Sequence, residues 1–338
     1  AAEAPAAEAP PDADRELQAP PEESAEAAGL DPAAQRYLLR SNQMVVRETS
    51  DRGMTLVSQS PHKMGDAIFL ERAVLSVEQA TSFPSADELQ AWVDAFAALD
   101  PSVRSAVLQL CCPPRAAPGG HLAWFVGEDG ERLDESVRRP GAVSREELWR
   151  FLRIMECNSF EVPNSDDGAG PCRVEVYLTL SRVNHSCLPN ALRGPGPEAG
   201  TAEVRALRPV EPGEDISIAY VDEEVIVSPT SDRRERLHSR WQFRCGCARC
   251  AEPDALRAFR CPAASSCGQG AVLAAPGGES LSACRSCGRE PATAEADEAL
   301  AAEDRLRQVA PEAIGAAQAA AAQVTRALQA RDGAAFER

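Results

Sequence analysis

Lysine is nearly missing from this 338-residue chain: Lys63 is the only one, and arginine supplies the rest of the Lys/Arg charge. Such a bias reflects codon usage more than a binding surface, and no function follows from it. Long apolar runs are missing as well. None approaches the ~20 residues that a membrane-spanning helix needs, so no membrane partner is expected. The first residues have neither a basic start nor an apolar segment, and the expectation is that no secretory signal is present. Positive charge is short overall, with a formal net charge of −17. That balance argues against a broad phosphate-binding face and against direct nucleic-acid binding. Residues 1–35 are rich in Ala, Pro and Glu with scarcely an apolar anchor. Burial there cannot offset the ordering entropy, so a disordered tail is expected.

What is present is a globular core with an unusual amount of sulfur. The hydrophobic share is 44%, and the length allows one large or two modest domains. Twelve cysteines fall in close clusters. Without a secretory signal, they read as metal ligands in a reducing compartment rather than as disulfides. Cys245-Gly246-Cys247-Ala248-Arg249-Cys250 packs three thiols into six residues. Zinc takes four tetrahedral ligands, and Cys187, far upstream, is the obvious fourth. Cys261, Cys267, Cys284 and Cys287 form a second set, with Gly268 and Gly288 placed where tight knuckle turns favour glycine. They read as a small zinc ribbon over 258–290. Cys111, Cys112, Cys157 and Cys172 have no convincing partners. His62, His121 and His238 are isolated and read as surface or structural residues.

The local patterns predict mixed α and β structure. Met44-Val45-Val46, Thr55-Leu56-Val57 and Ala67-Ile68-Phe69-Leu70 are short β-prone runs separated by turn residues. Ser85-x-x-Glu88 and Ser144-x-x-Glu147 are capping boxes that open helices, and Asp100-Pro101 caps a third. Residues 172–182 and 201–221 have strand character, parted by a Gly/Pro loop over 194–200. Thr230 to Trp241 reads as a helix, as does the Ala-rich stretch from Glu295 to the end, restarted at Pro311.

One stretch carries more than local structure. Asn184-His185-Ser186-Cys187-Leu188-Pro189-Asn190, followed by the Cys-x-Cys-x-x-Cys array, resembles the SET-domain protein-lysine methyltransferases with their post-SET zinc site. Within that family the chain more closely resembles the SET and MYND domain (SMYD) group. Cys157-Asn158-Ser159-Phe160, the run Val176 to Val183, Ile216-Ser217-Ile218-Ala219-Tyr220 and Pro229 to Leu237 each match elements of that group. The resemblance covers roughly 42–75 and 145–252. The stretch where the group carries its MYND zinc module, roughly 76–143, holds only Cys111, Cys112 and His121. Adjacent cysteines cannot supply spaced ligand pairs, so a helical insert is expected in place of that module.

The resemblance implies an α+β, mostly-β SET fold over 42–241 with a helical insert near 76–156, a post-SET segment over 242–252 and a helical tail over 295–338. It implies methyl transfer from S-adenosylmethionine to the side-chain amine of a protein lysine, histone or non-histone. Tyr220 is then the catalytic tyrosine, and Tyr220 with Phe160 lines the lysine channel. Arg52, Asn158, Ser181, Asn184, His185, Tyr220 and Phe243 fall at cofactor-side positions. Several of these have plainer roles open to them: Asn158 as a helix-end cap, Phe160 as a core aromatic, Asn184 and His185 as ties within their loop. The implied metal content is two zinc ions, and the expected molecule is a monomer in the cytoplasm or nucleus. Arg52-Gly53-Met54-Thr55 departs from the group's Arg-Gly-x-Gly turn, with Thr55 where glycine would allow close backbone approach. That departure favours the alternative function, a non-catalytic zinc-stabilised interaction scaffold.

Overall fold

A computed structural model describes residues 29–41, 43–80, 84–113, 137–164 and 171–309. The α+β class expected from the sequence holds: small, mostly antiparallel sheets surround two cores, with helices gathered against one of them. His121 and residues 310–338, where a helical restart was expected, lie outside the described residues.

The first hairpin forms because two alternating runs flank a glycine turn. β2 (Met44–Thr49) pairs antiparallel with β3 (Gly53–Ser58), Val46 opposite Leu56 and Arg47 opposite Thr55. Gly53 adopts φ 65°, a conformation that costs a residue without Cβ little. Met44, Val46 and Leu56 turn into a core shared with β4 (Ala67–Arg72). β4 lies inside a four-stranded sheet ordered β1-β4-β10-β9, formed with Leu38–Ser41 (β1), Thr201–Ala206 (β10) and Ala191–Pro195 (β9).

The second core is helical and fills the expected insert. α2 (Ala86–Ala98) and α4 (Arg145–Asn158) both begin with reciprocal capping boxes, and α3 (Pro101–Leu108) begins with Asp100 accepting from the Ser102 N–H. Leu89, Trp92, Val93 and Phe96 recur at helical spacing on α2 and are buried against Leu148, Phe151 and Leu152 of α4. Phe96 and Phe151 stack with centroids 4.1 Å apart. These helices cover the sheet β5-β7-β6, built from Leu75–Gln79 (β5), Cys172–Val176 (β7) and Ser159–Pro163 (β6).

Several boundaries differ from expectation. The tail read as disordered over 1–35 ends in a short helix, α1 (Pro32–Gln35), capped by Asp31. Ala33 and Ala34 are buried in the helical core, so tertiary packing supplies what composition lacked. The region expected as helical from residue 76 begins instead with β5, and the Gly/Pro loop starts only after β9 ends at Pro195. The strand expected through residue 182 stops at Val176. There the backbone turns, and a single 3₁₀ turn over Leu180–Arg182 follows.

The cause of that turn is Glu71. Its carboxylate accepts from the Thr179 N–H at 2.7 Å and the Leu180 N–H at 2.8 Å, satisfying donors that a ladder would otherwise use. Glu71 is fully buried, and burial raises its pKa from 4.5 to about 7 against the opposing effect of those bonds. Among the described residues no helix is long and apolar enough to cross a membrane.

Two outcomes are expected. Phe151→Ala removes one half of the stacked pair from a closed core and should lower the unfolding free energy by about 3–5 kcal/mol, read from urea midpoints. Glu71 has a raised folded pKa, so its stabilising contribution is complete below about pH 4.5 and is lost as pH rises through about 7. Glu71→Gln should therefore show a flatter stability profile than the parent across that window. A constant difference between the two proteins would remove the buried-carboxylate account.

Candidate functional site

The site is assembled by two very short strands. β8 (Asn184–His185) pairs parallel with β11 (Ser217–Ile218), and the Ser186 N–H donates to the Ile218 carbonyl at 3.0 Å. Asn190 closes the same turn. Its amide donates to Glu214 Oε1 at 3.0 Å and the Asp215 carbonyl at 2.8 Å, while its Oδ1 accepts from the Ser217 N–H at 2.8 Å. The turn and the strand leading to Tyr220 are thus bound as one unit. Asn190 lies in the sequence motif, but its clamping role depends on a segment well downstream and could not be read from the motif itself.

His185 sits at the centre. Its Nδ1 accepts from the Tyr220 N–H at 3.0 Å, and its Nε2 lies 3.2 Å from Cys187 Sγ. Burial lowers its pKa to about 4, against the raising influence of Cys247, so the ring is neutral at physiological pH. Tyr220 donates its hydroxyl to the Val183 carbonyl at 2.7 Å, and burial pushes its pKa upward, keeping it a neutral donor. Trp241 and Phe243 complete the aromatic group, with centroids 5.3 and 6.4 Å from that of Tyr220.

Beneath this group lie the sulfurs of Cys187, Cys245, Cys247 and Cys250, all within 4.8 Å of one another. An all-thiolate set of four suits a tetrahedral, sulfur-tolerant ion such as zinc. α5 (Thr230–Trp241) supplies the counter-charge. Arg233, among the most buried side chains, donates to Cys250 Sγ at 3.4 Å and to the Ser228 carbonyl at 2.5 Å. Burial alone would lower the Arg233 pKa, but the Cys250 and Cys187 sulfurs raise it overall. The next residue, Arg234, donates to the Cys245 carbonyl at 3.0 Å, the Cys250 carbonyl at 2.9 Å and the Pro276 carbonyl at 2.5 Å. Neither arginine was singled out from the sequence, where Thr230 to Trp241 reads only as a helix.

The second thiol set is also brought together. Cys261, Cys267, Cys284 and Cys287 lie within 4.8 Å of one another beside the hairpin of β12 (Asp254–Arg260) and β13 (Ala271–Ala274). Gly270 shows how tightly that space is shaped. A Cβ there would stand 2.3 Å from Cys267 Sγ and 2.6 Å from Cys284 Sγ. Gly268 and Gly288 take φ 71° and 72°, as the knuckle turns require. Of the remaining cysteines, Cys157 is held as a thiol by burial, with a pKa pushed up to about 12.

The other expected site residues divide into two groups. Asn184, His185, Tyr220 and Phe243 stand around the motif turn, and the Asn184 amide donates to the Met54 carbonyl at 3.2 Å, joining that turn to the first hairpin. Nearby, Ser181 Oγ and Thr55 Oγ1 are buried without a hydrogen-bond partner in the protein. These orphaned hydroxyls and the Phe243 face fit a polar ligand that carries an aromatic base. Arg52 and Asn158 are committed elsewhere. Arg52 is paired with Asp215 at 2.6 Å, and the Asn158 amide donates to the Cys111 and Ile154 carbonyls at 2.8 Å each. Phe160 on β6 meets Tyr177 edge-on at 5.8 Å and lies under the Arg193 guanidinium at 5.1 Å. His62 is buried and hydrogen-bonded to Ser58 Oγ at 2.8 Å, a structural role. A cavity of about 410 Å³ opens away from these residues, between α5 and the β12–β13 hairpin, lined by Arg234, His238, Arg244 and Asp254 among others.

A family model described as "SET domain" matches residues 53–221, half of the chain. The N-lysine methyltransferase SMYD2 of Homo sapiens is 32% identical over 115 residues, which are 34% of this chain and 25% of that protein. The histone-lysine N-methyltransferase SMYD3 of Homo sapiens is 34% identical over 125 residues, 37% of this chain and 27% of that protein. The aligned part thus spans about a quarter of these relatives. A solved SET domain of LSMT, bound to lysine and AdoHcy, superposes with a TM-score of 0.37 at 11% identity, covering 68% of this chain and 59% of that one.

If each thiol set holds an ion, Gly270→Ala is expected to remove one metal ion per chain and leave the one at the Cys187 set, as read by metal analysis of the folded protein. Retention of the full metal content would show that the ribbon thiols do not need the space that glycine leaves.

Proposed function

This chain belongs to the SET-domain family, and from that premise we propose that it transfers a methyl group from S-adenosylmethionine to the side-chain amine of a protein lysine. The observation that carries this reading is the union of the Asn184-His185 turn, Tyr220 and Phe243 over one four-cysteine centre. On this reading residues 42–241 form the SET domain, 242–252 its post-SET segment and 258–290 a separate ribbon. Each thiol set holds one zinc ion, through Cys187, Cys245, Cys247 and Cys250 and through Cys261, Cys267, Cys284 and Cys287.

The cofactor, when bound, would supply a sulfonium methyl group, whose carbon an amine can attack in line as the carbon–sulfur bond breaks and the neutral thioether leaves. The chain's residues have to deliver that amine neutral and aligned, which is positioning catalysis. Tyr220 suits this role because it is buried, un-ionised, and fixed at its hydroxyl by the Val183 carbonyl. Its oxygen keeps lone-pair capacity to orient the attacking nitrogen. Apolar rings around it disfavour the ammonium form of an incoming lysine. Asn184, the His185 backbone and Ser181 offer polar contacts on the cofactor side, and Phe243 offers a stacking face. Phe160 lines the channel from β6. Structural zinc holds Phe243 over the turn, so metal loss removes a wall of the pocket.

One observation favours a second reading, a zinc-stabilised interaction scaffold without turnover. Asn158 already gives its amide to two backbone carbonyls, and Arg52 gives one guanidinium nitrogen to Asp215. Binding of labelled S-adenosylmethionine separates the two. No binding well above the ~1 mM upper range of usual Michaelis constants would leave the scaffold. If the cofactor binds, Tyr220→Phe should lower turnover by about 10–100-fold with little change in cofactor affinity, as expected for a group that acts in the transition state. An unchanged rate would take Tyr220 out of the mechanism.

A further inference from the structure

We infer that the His185 side chain is a positioning residue that transmits the geometry of the first metal centre to Tyr220. Two hydrogen bonds carry the inference. The Tyr220 backbone N–H can only donate, so the His185 Nδ1 that it meets at 3.0 Å must be the unprotonated ring nitrogen. In a neutral imidazole the proton is then on Nε2, which points at Cys187 Sγ from 3.2 Å. The result is a directed chain, from the Tyr220 N–H to the imidazole to the sulfur, with one tautomer allowed.

Strand geometry explains why the chain closes. β8 ends at His185, and the bend that follows it carries Cys187 back so that its sulfur lies 3.2 Å from the imidazole. The parallel pairing of Ile218 with His185 brings the backbone of Tyr220 alongside. Tyr220 is then held at both ends by one turn: its amide by the His185 ring, its hydroxyl by the Val183 carbonyl. A shift of the sulfur rotates the ring, and the ring moves the amide of the tyrosine. A donor to a ligating sulfur also lowers the charge that the sulfur places on its ion, so the effect runs both ways. The contact fits a metal-bound thiolate, which accepts from N–H groups, and Arg233 gives the same centre a second donor through Cys250. The inference rests on the methyl-transfer reading for its effect on turnover, though not for its geometry.

The chain contains three tyrosines, so 3-fluorotyrosine labelling gives three fluorine signals, and Tyr220→Phe identifies the one that matters. Cadmium-113 replaces the metal at both thiol sets, with Gly270→Ala identifying the ribbon line. His185→Phe keeps a ring but neither hydrogen bond. It is expected to move the Cys187-centre cadmium line and the Tyr220 fluorine line together, and to leave the ribbon line in place. Turnover should fall by about 10–100-fold, the usual cost of losing a partner behind a metal ligand, with the peptide KM little changed. His185→Gln, which retains a donor and an acceptor, should return both lines toward their parent positions. If either line stays put in His185→Phe, or if Gln rescues nothing, the link is overturned. Should His185→Phe fail to fold, the parent protein decides: a scalar coupling between the His185 Nε2 proton and the cadmium must be seen, and its absence rejects the hydrogen bond. Both lines moving in a protein that binds no cofactor would uphold the link and reject methyl transfer, so the two failures are distinct.

Discussion

Four sulfur atoms within 4.8 Å of one another are tolerable as thiolates only if a cation sits among them, and this constraint organises the functional half of the molecule. Cys187 comes from the motif turn, and its three companions come from a segment beyond α5. Closing so long a loop has an entropic cost that weak contacts between two short strands would not offset. A metal–thiolate centre does so readily. With it in place, the β8–β11 pair needs only two residues on each side, because it is a guide for the turn rather than its anchor.

Charge follows from the same constraint. Four thiolates around a divalent ion would leave a net negative centre in a region of low dielectric. The protein answers with a fully buried guanidinium, Arg233, and a neutral imidazole N–H, His185. Arg249 adds a contact to the Cys187 carbonyl at 3.3 Å. These donors come from α5, β8 and the thiol loop, so the elements around the site are held by their relation to the sulfur as much as by packing. The aromatic group of Tyr220, Trp241 and Phe243 rests on that base.

Much of this was legible in the residues. The capping boxes at Ser85 and Ser144 and the Asp100-Pro101 start are local signals, and each helix begins where they place it. Both cysteine sets could be grouped from spacing and ligand number, since thiol chemistry leaves few alternatives. What could not be read depended on distant partners. The end of β7 is set by Glu71, far upstream on β4, and nothing in Tyr177-Leu178-Thr179 announces it. α1 exists because Ala33 and Ala34 find a core to enter. The engagement of Arg52 with Asp215 and of Asn158 with two carbonyls is likewise invisible in a motif, which gives residue types but not their competitors for hydrogen bonds.

Arg234 has a mechanical consequence. One guanidinium grips two carbonyls of the thiol loop and one, that of Pro276, in the turn that follows β13. Loosening of the ribbon therefore tugs on the backbone that presents Cys245 and Cys250. The two sulfur-rich modules, separate in sequence, are thereby tied through one side chain, and amide protons on either side of it are expected to exchange with solvent in step.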